Sequence, residues 1–330
     1  MEEVTLAYGG ERNRLLRRVL RSDRSPLDPM RHQGTKIDLE LGPGKCTRRA
    51  ATLFLTGMEC PFHCSMCDLW QFTLADATPV GALAHQIEEG LSELSEPCDW
   101  VKLYNASNFF DPRAVPEEDH GRISQAVKHF ERVIVENHPR LMGARVLRFQ
   151  DRLQSQLEIA MGLETIHPIS MAWLDKQMSL DDFGAAMEFC GKHGIDRRVF
   201  LILQPPGTPP EEAVDSGLQA AKFAASLGAR HISMIPLRSG NGVVDRLLHD
   251  QSIQLPDASQ LEKWLFAAQK LLPDTVVTVD LWDWDRLPGH CVRCSQPRRQ
   301  RLTELTLRSP APPLDTFGCS CDIHRSSNEQ

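Results

Sequence analysis

The chain has 330 residues, with 37 Lys and Arg against 44 Asp and Glu, a formal net charge of −7, 41% hydrophobic residues and 25% charged ones. These are ordinary globular proportions, and no apolar stretch approaches the roughly 18 residues of a membrane-crossing helix, which excludes helical spans. Ten cysteines at short spacings, behind an acidic amino terminus (MEEVTLAYGG) where a secretory or transit peptide would be basic, point to metal sites in a reducing cytoplasm rather than disulfides.

Residues 1–45 read as a basic extension. Between Glu11 and Arg49 there are eleven Lys and Arg against five Asp and Glu, so the rest of the chain is acidic. Arg12, Arg14, Arg17, Arg18, Arg21 and Arg24 fall here, with Leu15, Leu16, Val19 and Leu20 as the apolar side of a helix. The segment is either a solvated amphipathic helix or an arm that contacts phosphates.

A short apolar run, Ala51–Thr56, ends at Gly57 and reads as a buried strand entering a loop. That loop is Cys60-Pro61-Phe62-His63-Cys64-Ser65-Met66-Cys67, the spacing C-x3-C-x2-C. Three thiolates in one tight loop are one ligand short of a four-cysteine site. A 4Fe–4S cluster held this way keeps one iron open to a non-protein ligand, and an open iron is a reaction site. The alternative is a zinc knuckle completed by a distant cysteine or histidine, a spacing that C-x3-C fits poorly.

Apolar runs then alternate with helical patterns. Val80, Leu83, Ala84, Ile87, Leu91 and Leu94 recur at helical spacing, and Trp100–Tyr104 reads as a strand. Further strands are expected at Arg132–Val135, Leu157–Met161, Val199–Leu203 and His231–Ile235. Helices are expected near Glu117–Phe130, Leu141–Leu153, Leu180–His193, Glu211–Leu227 and Ala258–Leu271. Six consecutive strand–helix units imply a parallel α/β sheet with right-handed crossovers. Polar or glycine-rich turns follow the strands at their carboxyl ends, where barrels place their sites.

Residues 286–330 form a cysteine-rich tail. Cys291 and Cys294 are joined 24 residues later by Cys319 and Cys321, with His290 and His324 alongside. Four thiolates in two close pairs suit a closed zinc site, with an auxiliary iron–sulfur cluster as the alternative. Arg293, Arg298, Arg299 and Arg301 beside that site would suit phosphate contact.

The Cys60–Cys67 loop, its preceding strand and its place in the chain resemble the cluster loop of radical S-adenosylmethionine (SAM) enzymes. Lys102–Pro112, Val133–Pro139, Leu157–Thr165 and Ile235–Gly242 are similar to the branch that contains the Elongator catalytic subunit and the radical SAM enzyme of archaeosine synthesis. The resemblance implies an α/β fold that is a partial (β/α)6 barrel over residues 46–285, in which Cys60, Cys64 and Cys67 hold a 4Fe–4S cluster and SAM chelates its fourth iron. Met66, where that family often has an aromatic residue, would pack on the adenine. Asn105 and Ser107 fall where the family binds the SAM amino group, without its Gly-Gly-Glu form. Glu136 would bond a ribose or pair with Arg140. Glu164 would serve SAM or hold backbone amides, and Arg238 would grip a carboxylate or phosphate. An electron donor of the flavodoxin or ferredoxin type is implied, and a tRNA nucleoside becomes a candidate substrate. A peptide or small metabolite as substrate, and a zinc-dependent nucleic-acid-binding module, are the other readings.

Overall fold

The apolar runs become strands of one eight-stranded sheet whose spatial order follows the chain. The computed structural model describes residues 20–21, 24–42, 44, 46–307, 319 and 321. The first half runs β1 (Gly34–Leu41), β2 (Thr47–Phe54), α1 (Ala82–Ser92), β3 (Trp100–Tyr104), α2 (His120–Ala126), β4 (Arg132–Glu136), α3 (Ala144–Gln150) and β5 (Gln156–Glu164). The second runs α4 (Pro168–Leu174), α5 (Leu180–Lys192), β6 (Asp196–Leu203), α6 (Ala213–Ser226), β7 (His231–Pro236), α7 (Val243–His249), α8 (Ala258–Leu271), β8 (Val276–Val279) and α9 (Ser295–Thr306). Side-chain caps set some boundaries: Ser179 and Asp182 form a capping box on α5, and Asp257 and Gln260 form one on α8.

All six expected parallel strands are present, and β8 adds a seventh beside β7. β1 runs antiparallel to β2, with Gly34 opposite Phe54 and Leu41 opposite Thr47, so part of the segment read as a basic extension belongs to the sheet. The part of that segment expected to be a helix, with Arg12, Arg14, Arg17 and Arg18, lies outside the described residues, as do Pro310–Pro313 and His324.

Alternation along the strands splits the sheet into two faces. Ala51, Leu53, Val101, Leu103, Val133, Val135, Val199 and Leu201 pack outward into one core with Leu83, Ile87, Phe149, Phe183 and Trp264 from the helices. The residues between them, Ala50, Trp100, Ile134 and Ala160 with Tyr104 and Phe200 against them, form a separate inner cluster. The sheet curls around that inner face. Glu40 of β1 reaches Lys102 of β3 at 2.5 Å and Arg198 of β6 at 2.8 Å. No pairing joins β1 to β8 among the described residues, so the barrel stays open along that seam. Trp282 sits there, its ring 5.5 Å from that of Phe54.

The amino end of the lumen is filled by ion pairs. Arg198 Nε donates to Glu158 at 2.6 Å, and Arg132 Nη1 donates to Glu158 at 2.7 Å and to Asp196 at 2.6 Å. Charges tolerate such burial only when paired.

One basic residue expected at the tail's surface is in the core. Arg298 is fully buried, its Nε and Nη2 each donating to Glu262 at 2.8 Å and its Nη1 to the Gly289 carbonyl at 2.5 Å. It pins α9 to α8 and has no donor facing an external phosphate. Arg298 is thereby corrected from a phosphate contact to a structural tie.

Candidate active site

The loop after β2 places the three cysteines at the carboxyl mouth of the barrel. Its base is closed by Leu74 N donating to the Gly57 carbonyl at 2.8 Å and Glu59 N to the Leu74 carbonyl at 3.0 Å. Glycine lets the loop pass close at position 57, where a Cβ would sit 3.1 Å from the Ala114 carbonyl oxygen and 3.2 Å from Asn105 Nδ2. Within the loop, Cys67 N donates to the Cys64 carbonyl at 3.2 Å, and His63 takes a left-handed φ of 52°.

Neighbouring strand ends hold this loop from several sides. Asn108, after β3, donates from Nδ2 to Cys60 Sγ at 3.1 Å and accepts from His138 N at 2.8 Å. His138, after β4, stacks on Phe62 with centroids 3.6 Å apart and an interplanar angle of 14°. Gln177 Nε2 donates to the Phe62 carbonyl at 2.6 Å, and Ser65 Oγ donates to the Trp173 carbonyl at 2.6 Å. Asn241 Nδ2 bonds the Met66 carbonyl at 2.8 Å, and the Met66 side chain packs against Leu174, Ile202, Leu237 and Val244.

The three thiols share this loop and are half-buried. Burial pushes Cys64 far above the ordinary thiol range, and thiolate charge on Cys67 and Cys60 pushes it further, with Lys176 opposing. Cys67 is pushed up to about 12 by burial and by Asp68, and Cys60 is raised by burial. Three thiols that resist ionising alone, held on one loop and coupled through their charges, make a donor set that suits a positively charged metal centre. The residues therefore fit an iron–sulfur cluster.

Next to them lies a group that the motifs did not mark. Lys176, in the turn after α4, pairs with Glu164 at 2.5 Å. Burial works against its ammonium, but Glu164 and the Cys64 and Cys60 thiolates outweigh that and raise its pKa. The pair packs directly over Gly162, where a Cβ would overlap the Glu164 carboxylate and Lys176 Nζ as they are placed. Glu164 therefore faces an ammonium, and no backbone amide donates to it among the described residues. Glu136 is pushed up to about 7 by burial, against Lys176 and with repulsion from Glu164. Arg140 does not pair with it and donates instead to the Gln177 carbonyl at 3.0 Å.

Asn105 is fully buried, and both its amide atoms lack a hydrogen-bond partner, as does the buried Ser107 Oγ. Leaving such groups unmade costs about 1–3 kcal/mol each, which a bound amino group would recover. They fit the amino acid end of SAM. Arg238 is placed differently from the others. It is engaged by Asp283 at 3.0 Å, Asp280 at 3.5 Å and Asp68 at 3.9 Å, so it ties the residue after Cys67 to the strand ends.

The tail cysteines converge too. The sulfur atoms of Cys291, Cys294, Cys319 and Cys321 all lie within 4.8 Å of one another, and Cys291 and Cys294 are 3.8 Å apart. A tetrahedron of Zn–S bonds near 2.3 Å has an edge of about 3.8 Å, so four ligands on one ion fit. Backbone amides at Cys294 and Arg293 pull the Cys291 thiol down to about 7, a readily formed thiolate. His290 stands apart, stacked on Trp284 with centroids 4.8 Å apart.

No family model matches the chain. It is 21% identical over 277 residues to an uncharacterized protein of Methanocaldococcus jannaschii, covering 78% of this chain and 74% of that one. It is 22% identical over 271 residues to the archaeosine synthase subunit beta of Methanosarcina acetivorans, covering 78% and 77%. Among solved structures, an amino-terminally truncated Elp3 of Methanocaldococcus infernus superposes with a TM-score of 0.52 at 12% identity. That match covers 77% of this chain but 63% of the Elp3 chain, less than two thirds. A radical SAM methyltransferase from Sphaerobacter thermophilus gives 0.50 at 13% identity, covering 78% and 76%. The fold is that of radical SAM enzymes.

Proposed function

We propose that the protein is a radical SAM enzyme whose 4Fe–4S cluster is held by Cys60, Cys64 and Cys67. The observation that carries this reading is three half-buried, electrostatically coupled thiols on one loop at the mouth of a partial barrel. When bound, the cluster supplies the electron that cleaves the sulfonium C–S bond of SAM, giving methionine and a 5′-deoxyadenosyl radical that takes hydrogen from the substrate.

The chain's residues position and enclose the reactants. Asn105 and Ser107, unpartnered at present, accept from the SAM amino group. Glu136, partly neutral near pH 7, bonds a ribose hydroxyl. Lys176, balanced by Glu164, places positive charge beside the thiolates. Met66 and the Phe62–His138 stack pack the loop against the barrel and exclude water from it. Arg238 holds Asp68 and the two strand-end aspartates in register.

We infer a tRNA nucleoside as substrate, an electron donor of the flavodoxin or ferredoxin type, a cytoplasmic setting, and zinc on the four tail cysteines. Similarity to a protein named archaeosine synthase subunit beta supports the first, and the tetrahedral sulfur spacing supports the last. Anaerobic reconstitution with iron and sulfide, then chromatography for 5′-deoxyadenosine after chemical reduction, tests the enzyme. Zinc in both cysteine sites and no SAM cleavage would overturn it in favour of a zinc-dependent nucleic-acid-binding module. Filter binding of tRNA across a salt series tests the substrate, because phosphate contacts give a slope of roughly 0.7–0.9 per charge neutralised. A flat, weak isotherm at low salt would leave a peptide or small metabolite as substrate.

A further inference from the structure

Glu59, the residue before Cys60, does nothing in the chemistry above, yet it is the most heavily bonded carboxylate at the mouth. Its side chain is 17% exposed and accepts from Arg21 Nη1 at 2.6 Å, from Arg24 Nη2, and pairs with His63 Nδ1 at 3.0 Å. Burial opposes its charge, but these bonds outweigh that and hold the carboxyl down at about 2. Charge-assisted bonds of this kind are roughly twice as strong as neutral ones.

The partners of Glu59 span the whole loop. His63 lies between the first two cysteines in a left-handed conformation that is strained for a non-glycine residue, and the bond to Glu59 helps hold it there. Arg21 also stacks its guanidinium over Trp70, 5.0 Å from the ring centroid, on the far side of the third cysteine. One arginine thus grips the loop before Cys60 and after Cys67. The residue before it, Leu20, lies with its carbonyl against Gly242, the glycine that starts α7. The backbone beside Gly242 is itself tied to the loop, through Asn241 to Met66 and through Gln71 Nε2 to the Gly240 carbonyl at 3.2 Å.

We propose that Glu59 is a positioning residue for the cysteine loop: clamped by Arg21 and Arg24, it fixes the depth at which the three thiols are buried. The arginines nearest the barrel thereby belong to the housing of the site and are not free phosphate contacts. The proposal rests on reading Cys60, Cys64 and Cys67 as ligands of one cluster, but its main test does not need that cluster.

The full-length protein, metal-free and fully reduced, is alkylated with iodoacetamide at fixed pH, and each cysteine is followed by peptide mass spectrometry. Glu59→Gln and the pair Arg21→Gln/Arg24→Gln should each raise the rate at Cys64 and Cys67 about tenfold, or 1.4 kcal/mol of local opening. Combining them should add little, because all three act through one contact. Glu59→Arg with Arg21→Glu and Arg24→Glu should recover most of the protection. Cys190, buried in the helix–sheet core, reports global unfolding. Should Glu59→Gln expose Cys190, the arginine pair alone decides. Wild-type rates in the arginine pair overturn the proposal. After reconstitution, the same variants should lose iron to a chelator faster and show a broadened electron paramagnetic resonance signal of the reduced cluster. A wild-type protein that takes up no cluster sinks the proposed function and leaves the alkylation result to judge Glu59. A wild-type protein with a cluster and unchanged variants sinks only this inference.

Discussion

At the amino ends of the strands, Arg198 holds Glu158 at 2.6 Å and Glu40 at 2.8 Å, Lys102 holds Glu40, and Arg132 holds Glu158 and Asp196. At the carboxyl ends of the same strands, Glu136 has no ion-pair partner among the described residues, Asn105 and Ser107 lack hydrogen-bond partners, and three coupled thiols share one loop. Both ends are polar, yet the floor is close to saturated, with its carboxylates all ion-paired and Arg132 Nε without a partner, and the mouth is not. Saturation is what a floor needs, since a buried charge is stable only with its partner in place. Unmet bonds cost folding energy and persist where a ligand will complete them. The lumen thus divides into a structural end and a functional end, as barrel enzymes generally do.

Substitutions at the two ends should separate function from stability. Replacing Cys67 with Ala should bring 5′-deoxyadenosine formation below detection while thermal unfolding of the metal-free protein shifts by only a few degrees, because the loop lies outside the main core. A Cys67→Ala protein that unfolds cooperatively at much lower temperature would erase the distinction. Arg198→Met at the floor should do the reverse. It strands Glu40 and Glu158 without their main cation and should cost about 3–5 kcal/mol in urea unfolding. Protein that remains folded should keep its cluster.

The functional end was more legible than the floor. C-x3-C-x2-C is a local pattern, so the cysteine loop and its strand could be placed from spacing alone. The period-2 and period-3.6 runs gave the parallel strands and the long helices for the same reason. β1 escaped because its pattern is inverted: Glu40 points into the lumen and Leu39 is 53% exposed, as suits a strand facing a charged floor. α9 escaped because its buried face includes Arg298, whose partner Glu262 is 36 residues away in the chain. Lys176 follows a seven-residue helix and is defined only by what it meets in space, Glu164 across 12 residues and the cysteine loop across more than a hundred. Pairing partners far apart in sequence leave no periodic trace.

Glu136 sharpens the contrast at the functional end. Its carboxyl titrates near 7 in the folded protein and near 4.5 in the unfolded chain. Between those values the unfolded state has lost a proton that the native state keeps, so stability falls as pH rises from 4.5 to 7 and stays reduced above that. Glu136→Gln removes the penalty. The variant should match wild type at pH 4.5 and exceed it by about 3 kcal/mol at pH 8 in urea titrations of the metal-free protein. It should also bind SAM more weakly. Equal stability at both pH values would mean that the carboxyl is well solvated and that the mouth carries no unmet charge.

The smallest expected effect concerns a site that belongs to neither end. His120 is fully buried among Phe109, Phe110 and Phe149, and neither ring nitrogen has a hydrogen-bond partner. Burial holds its pKa down at about 4, with Arg145 adding to the shift and Glu117 opposing it. The sign is opposite to that of Glu136. The unfolded chain takes up a proton below about 6.5 while the native ring stays neutral, so stability falls as pH drops through 6.5 toward 4. His138 and His231, both pushed down to about 3, act in the same direction and continue to lower pH. His120→Leu keeps the apolar contacts and removes one titrating group. Between pH 7 and pH 5.5 the wild type should lose about 1 kcal/mol more than the variant, measured by urea midpoint at each pH. If the two lose stability in parallel, His120 is hydrated in solution, and an unmet polar group in the helix layer would no longer set it apart from the saturated floor.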